Sequence, residues 1–301
     1  MIISTDPQTL VLSGSGPKYH AQLAAVRELV RVFVALRFER FVGTSGGAML
    51  AALLASGMTL DKAEAIADSI NPAELLDGGF GRLASSILFG HRGMPKSLHS
   101  GDKILAELRK HLPKTLGEVK HPLHIVTCDI ETGDTVIWTN EKNVPGTRYA
   151  PTLDLPFVVM CSMALPVIFD SRRIRLDDKD QGFFCDGGVG NNFAIDLMSE
   201  GRNCIGIRFQ SSRKKRIIRN IVDIIMAVID IMIESTTRKH MSDAAYANTI
   251  VIKSDDAVTD FNVDAADRMR LKAQGKAAVH EWLARVPAEK AAARGAALGV
   301  V

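Results

Sequence analysis

The 301-residue sequence predicts an α/β fold. Two observations carry this. Short apolar runs alternate with longer segments of helical spacing along the chain. Glycine-rich turns come after the first two predicted strands, and each opens directly into a helical pattern (Gly14-Ser15-Gly16-Pro17 and Gly43-Thr44-Ser45-Gly46-Gly47). Neither an internal repeat nor a linker rich in Pro, Gly and Ser divides the chain. One domain over residues 1–285 is therefore expected, with an Ala- and Gly-rich tail over 286–301. A domain of that size buries roughly 75% of its unfolded surface and needs no disulfide or metal to fold.

Thr9–Ser13 reads as the first strand, and Tyr19–Ala35 as a helix with Leu23, Val26, Leu29, Val30, Phe33 and Val34 at helical spacing. Phe41-Val42 closes a second strand, and Ala48–Ser56 continues as a helix after the glycines. Helices are expected at Leu60–Ser69 and Asp102–His111, with the glycine-bearing stretch Gly78–Ser100 between them as a loop-rich connection or lid. Leu123–Cys128, the turn Asp129–Asp134 and Thr135–Trp138 predict a hairpin. Leu153–Met163 reads as helical, and Phe169–Asp186 as short strands around a polar turn. Cys204–Phe209 and Thr249–Ile252 are strands. Ile217–Ile233 and Ala265–Arg285 are helices.

Composition excludes several functions. Thirty-seven basic and 34 acidic residues leave a net charge of +3, too small for a nucleic-acid partner. Aromatic residues make up 6%, which argues against base-stacking platforms. Cys128, Cys161, Cys185 and Cys204 form no CxxC pair and lie in apolar stretches, so free buried thiols are expected, with neither metal nor cofactor. No basic, apolar leader stands at the start, and no run of 18 apolar residues occurs. A cytoplasmic protein is the expectation, with peripheral membrane contact or a dedicated secretion route left open.

The chemistry concentrates in three places. Gly43–Gly47 fits G-x-S-x-G, in which a sharp strand-to-helix turn projects Ser45 and the glycines avoid clashes. A serine nucleophile needs a base. None of His91, His99, His111, His121, His124, His240 and His280 has a persuasive setting, whereas Asp186, in CDGGVGNN, ends an apolar run at a tight turn. The third place is Ser13–Lys18, whose glycines let backbone N–H groups converge on an anion, as a phosphate cradle or an oxyanion hole. G-x-x-x-x-G-K-[ST] is absent, and G-x-G-x-x-G fails at Tyr19, so the oxyanion reading gains.

In this order the three elements resemble the patatin-like phospholipases, together with the S-x-A-x-P-x-x-F pattern of Ser162–Phe169 and Asn191-Asn192 after the D-G-G. The resemblance runs from about Leu10 to Phe209. It implies a three-layer α/β/α sandwich with a mainly parallel central sheet, and a lipid acyl hydrolase that works through an acyl-enzyme without a metal or cofactor. It assigns Ser45 as nucleophile, Asp186 as the only base, and the amides of Gly14, Ser15 and Gly16 as the oxyanion hole. Asp186 works best if burial beside Phe183 and Phe184 raises its pKa. The chain departs from the family's G-G-G-x-[RK]-G at Ser15 and Tyr19. Lys18 is either a contact for lipid phosphate or a solvated lysine. A phospholipid or other acyl-ester lipid is the expected substrate. A conventional Ser-His-Asp esterase and a non-enzymatic or activator-dependent lipid-binding module remain as alternatives.

Residues 213–233 raise a membrane question. Arg213-Lys214-Lys215-Arg216 and Arg219 precede a helix that is apolar nearly all round apart from Asn220, Asp223 and Asp230. A buried helix packing on the sheet fits that pattern better than a lipid-facing one. The basic run reads equally as a solvated loop or as a contact for anionic lipid.

Overall fold

The computed structural model describes residues 8–79, 81–82, 97–196, 203–211, 217–219, 221–239, 243–255 and 261–285. Its strands, in chain order, are β1 (Gln8–Leu12), β2 (Phe38–Thr44), β3 (Leu123–Asp129), β4 (Thr135–Thr139), β5 (Arg148–Tyr149), β6 (Arg172–Leu176), β7 (Lys179–Asp186), β8 (Cys204–Ser211) and β9 (Thr249–Ser254). The helices are α1 (Tyr19–Val32), α2 (Gly46–Ala55), α3 (Leu60–Ser69), α4 (Asp102–His111), α5 (Leu155–Ser162), α6 (Gly188–Asn191), α7 (Ile221–Lys239), α8 (Asp243–Ala247) and α9 (Ala265–Ala284). The resemblance to an α/β/α sandwich holds: the sheet runs β5-β4-β3-β2-β1-β8-β9, and from β3 to β9 every neighbouring pair on that path is parallel.

A parallel sheet is covered on both faces, so its strands are apolar on both sides. Side chains alternate between the two faces. Leu10, Leu12, Phe41, Leu123 and Ile125 enter one core, continuous with α1, α2 and α9. Val11, Val42 and Val126 enter a second, smaller core with Phe193, Ile195 and Ala245. Helix α2 is buried at every position, which explains why its sequence is apolar all round.

Several boundaries differ from the sequence reading. Helix α1 stops at Val32 because Phe33 leaves the helical region (φ −114°, ψ 84°) while its N–H still reaches the Leu29 carbonyl. Helix α5 begins at Leu155, where the Asp154 side chain accepts a hydrogen bond from the Phe157 N–H at 2.9 Å. Helix α7 runs from Ile221 to Lys239, later than expected, and it is not a buried helix. Ile229 and Ile233 are buried, but Ile224, Val228, Ile231 and Met232 are exposed. Much of the Gly78–Ser100 connection (residues 80 and 83–96), the basic run 213–216 and the tail 286–301 lie outside the described residues. All four cysteines are free and buried.

One topological detail positions the site. Strand β3 pairs with β4 along one edge and shares its other edge between two strands laid end to end. Parallel β2 occupies it as far as Thr44, opposite Val126, and antiparallel β7 ends at Asp186, opposite Thr127. The tips of β2 and β7 therefore point at each other across consecutive residues of β3. The first residue beyond β2 is thereby brought up against Asp186.

Candidate active site

That residue is Ser45. Its backbone stands at φ 55°, ψ −129°, a conformation that costs energy for a residue bearing a Cβ and marks a nucleophile elbow between β2 and α2. Its Oγ donates to Asp186 Oδ2 at 2.7 Å. The elbow fits only because it is glycine-flanked: a Cβ on Gly47 would stand 2.3 Å from the Ser13 carbonyl oxygen.

Asp186 has no solvent exposure. Besides Ser45, the Gly188 N–H donates to its Oδ1 at 2.7 Å. Burial drives the carboxyl up to about 7, against these two hydrogen bonds, which favour the charged form. That range is the one that suits a general base working near neutral pH.

Both catalytic candidates are held from behind by the segment that ends α5. The Ser45 N–H donates to Ser162 Oγ at 2.9 Å, and that hydroxyl donates to the Val126 carbonyl of β3 at 2.6 Å. The Asp186 N–H donates to the Ala164 carbonyl at 2.8 Å, and the Gly187 N–H to the Ser162 carbonyl at 3.3 Å. The sequence marked Ser162–Phe169 as a pattern without a role. The structure makes Ser162 a clamp between the elbow, β3 and the D-G-G turn.

The loop after β1 lies against the elbow, with two corrections. The Gly14 N–H donates to the Asn192 carbonyl at 3.1 Å, so it is spent on structure and leaves the oxyanion set. Gly14 instead allows close approach, since a Cβ there would stand 2.2 Å from Asn192 Oδ1. Among the described residues no carbonyl accepts from the amides of Ser15 and Gly16. Lys18 is neither solvated nor open to lipid phosphate: it is 5% exposed, and its ammonium lies 4.7 Å from the centre of the Phe209 ring.

An apolar pocket with about 590 Å³ of empty space, counting its open mouth, is lined by Ser45, Gly46 and Gly16. Its other walls include Met49, Ile104, Leu108, Leu165, Phe169 and Phe261. Tyr19, where the family loop ends in glycine, also lines it. Among the described lining residues Glu107 is the only charged one, and its carboxylate is engaged by Lys110 and His111.

No described histidine joins the dyad. His124 and His280 meet Glu141 and Glu28 at 3.2 and 2.8 Å, and His111 meets Glu107 at 3.0 Å. His99 packs near Phe169, and His121 lies beside Phe41. His91 and His240 lie outside the described residues. Among the described residues no three His, Cys, Asp or Glu side chains gather as a metal site.

Comparison with known proteins decides the family. Residues 10–198, well over half of the chain, match the family described as Patatin-like phospholipase. The chain belongs to the patatin-like phospholipase family. The matched span covers β1 through α6 and so contains Ser45, Ser162 and Asp186. A relative in Bacillus subtilis (strain 168), the uncharacterized protein YqhO, is 28% identical over 285 residues, covering 88% of this chain and 94% of its own. Among solved structures, VipD from Legionella pneumophila superposes with a TM-score of 0.58 at 16% identity, over 93% of this chain and 67% of that one, a likeness of fold. The type III effector protein ExoU superposes with a TM-score of 0.47 at 17% identity and is covered to 53% of its length. At the level of the family, the patatin-like chain is a lipid acyl hydrolase.

Proposed function

We propose that this patatin-like protein hydrolyses fatty-acyl esters of phospholipids or related lipids through a Ser45–Asp186 dyad. The observation that carries the reading is the 2.7 Å hydrogen bond from Ser45 Oγ to a fully buried carboxylate, at an apolar pocket that Ser45 itself lines. As Asp186 takes the hydroxyl proton, Ser45 Oγ attacks the ester carbonyl carbon. The tetrahedral oxyanion is received by the amides of Ser15 and Gly16, and one such donor is worth roughly 3 kcal/mol of barrier. The α2 N-terminus, which begins at Gly46, adds its dipole beside the developing charge.

The carbonyl reforms as the alkoxide leaves, taking the proton from Asp186 and giving a Ser45 ester. Asp186 then takes a proton from water, whose oxygen attacks that ester. The fatty acid departs and Ser45 regains its proton. With no imidazole in this cycle, one carboxyl serves as base and then acid, and a pKa near neutrality suits both steps.

The apolar walls suit an alkyl chain. Expulsion of water there strengthens each polar contact at the reacting centre. A serine-directed fluorophosphonate supplies the direct test. It is expected to label the folded protein at Ser45 and to leave Ser45→Ala unlabelled. Equal labelling of the two proteins, or labelling that disappears in His240→Ala, would contradict the dyad.

A further inference from the structure

The helix next to the dyad carries an apolar stripe that the fold does not use. On α7, Ile224, Val228, Ile231 and Met232 are 47%, 48%, 67% and 41% exposed. Their spacing of four, three and one places them on one side of the helix. From Asp223 to Glu234 no charged residue shares that side. Asp223, Asp230 and Glu234 lie about a quarter-turn or more away, and Asp223 is occupied at the helix start, where its Oδ2 accepts the Arg219 N–H at 2.7 Å. Ile217 and Ile218, just before the helix, are 74% and 48% exposed. A monomer that leaves a continuous row of large apolar side chains in water is advertising a contact.

The opposite side of α7 is tied to the segment that carries the base. Ile229 and Ile233 are buried, Thr236 Oγ1 donates to the Gly188 carbonyl at 2.9 Å, and Asn192 Nδ2 donates to Thr237 Oγ1 at 2.9 Å. Gly188 in turn donates to Asp186. The exposed stripe is thus one helix thickness from the dyad.

The sequence leading into the stripe indicates the partner. Arg213, Lys214, Lys215, Arg216 and Arg219 fall within seven positions, and no acidic residue occurs from 213 to 222. Basic residues next to an apolar helical side match an anionic membrane surface, where the apolar side chains enter the acyl boundary and the cations meet lipid headgroups. We propose that the Ile224–Val228–Ile231–Met232 stripe of α7, with Ile217 and Ile218 before it, seats this protein on an anionic lipid bilayer. The proposal rests on the lipid-hydrolase reading for its choice of lipid over a second protein, and it deepens that reading by placing the dyad beside the bilayer that holds its substrate.

The test separates binding from turnover. The full chain carrying Ser45→Ala is floated with vesicles of phosphatidylcholine alone and with vesicles containing about one third phosphatidylglycerol. It is expected to bind the second kind far better. Adding Val228→Asp and Ile231→Asp should weaken that binding at least about tenfold. Replacing Arg213, Lys214, Lys215 and Arg216 by Gln should abolish the preference for phosphatidylglycerol. With Ser45 intact, the Val228→Asp/Ile231→Asp protein should still turn over a soluble short-chain ester, because neither side chain touches the site. A serine pair at the same positions repeats the test should the aspartates unsettle the fold.

Unchanged vesicle binding by either pair, or no binding by the parent, overturns the proposal. So does a concentration-dependent dimer that the substitutions dissolve without vesicle binding, which would make the stripe an interface between copies. Vesicle binding by Ser45→Ala without ester hydrolysis by the wild type would remove the hydrolase reading alone.

Discussion

At Asp186 the site's chemistry and its cost to stability come from one fact: a carboxyl group with no solvent exposure and two hydrogen-bond donors. In the proposed dyad, only the ionised form accepts the proton of Ser45. The kcat/KM for a soluble ester should therefore rise with pH along a single limb centred near 7. The same shift makes a stability prediction. The folded carboxyl holds its proton more tightly than the unfolded one, so its contribution is fully present below about pH 4 and is lost as pH rises through about 7. Urea unfolding should show wild type losing ground to Asp186→Asn by on the order of 4 kcal/mol between about pH 4 and pH 8. A flat difference across that range would mean that the buried carboxyl titrates normally.

At the scale of elements, the site is a junction of three segments: the β2–α2 elbow, the end of β7 and the end of α5. Ser162 joins them: its hydroxyl accepts from the elbow and donates to β3, and its carbonyl accepts from Gly187 just past β7. Ser162→Ala leaves a buried N–H and a buried carbonyl without their partner, which costs about 1–3 kcal/mol of stability. It should also lower kcat about tenfold or more with KM little changed, because a displaced nucleophile harms the reacting geometry before it harms binding. An unchanged kcat in steady-state assays would reduce Ser162 to a packing residue. The elbow and the aspartate were legible in the sequence because each depends on local turn chemistry: glycines around Ser45, and Asp186-Gly187-Gly188 after an apolar run. The clamp was not, since a hydrogen bond between residues 45 and 162 leaves no local signature. Gly14 and Lys18 misled for a related reason. Backbone amides next to glycines look available until a distant carbonyl, here that of Asn192, claims one. A lysine in a turn looks solvated until an aromatic ring on a distant strand covers it.

Across the whole molecule, the sheet brings together residues that lie 141 positions apart in the chain. The shared edge of β3 does this, with β2 and β7 arriving from opposite directions, and the strand order that makes it so emerges only from the assembled sheet. The α/β class was legible from periodicity, whereas the exposure of α7 was not. A helix apolar nearly all round reads as buried, and only the structure shows which side the core leaves uncovered. The same assembly places an apolar pocket, an elbow serine and a buried base side by side, as a lipid acyl hydrolase requires. No helix among the described residues is long and apolar enough to cross a membrane. In the proposed dyad, Ser45 and Asp186 together cleave acyl esters. Mass spectrometry of phospholipid vesicles treated with wild type, Ser45→Ala and Asp186→Asn tests it most directly. Release of free fatty acid and lysophospholipid by wild type, reduced at least about 10³-fold in each variant, is the predicted result. Equal release by either variant would contradict it.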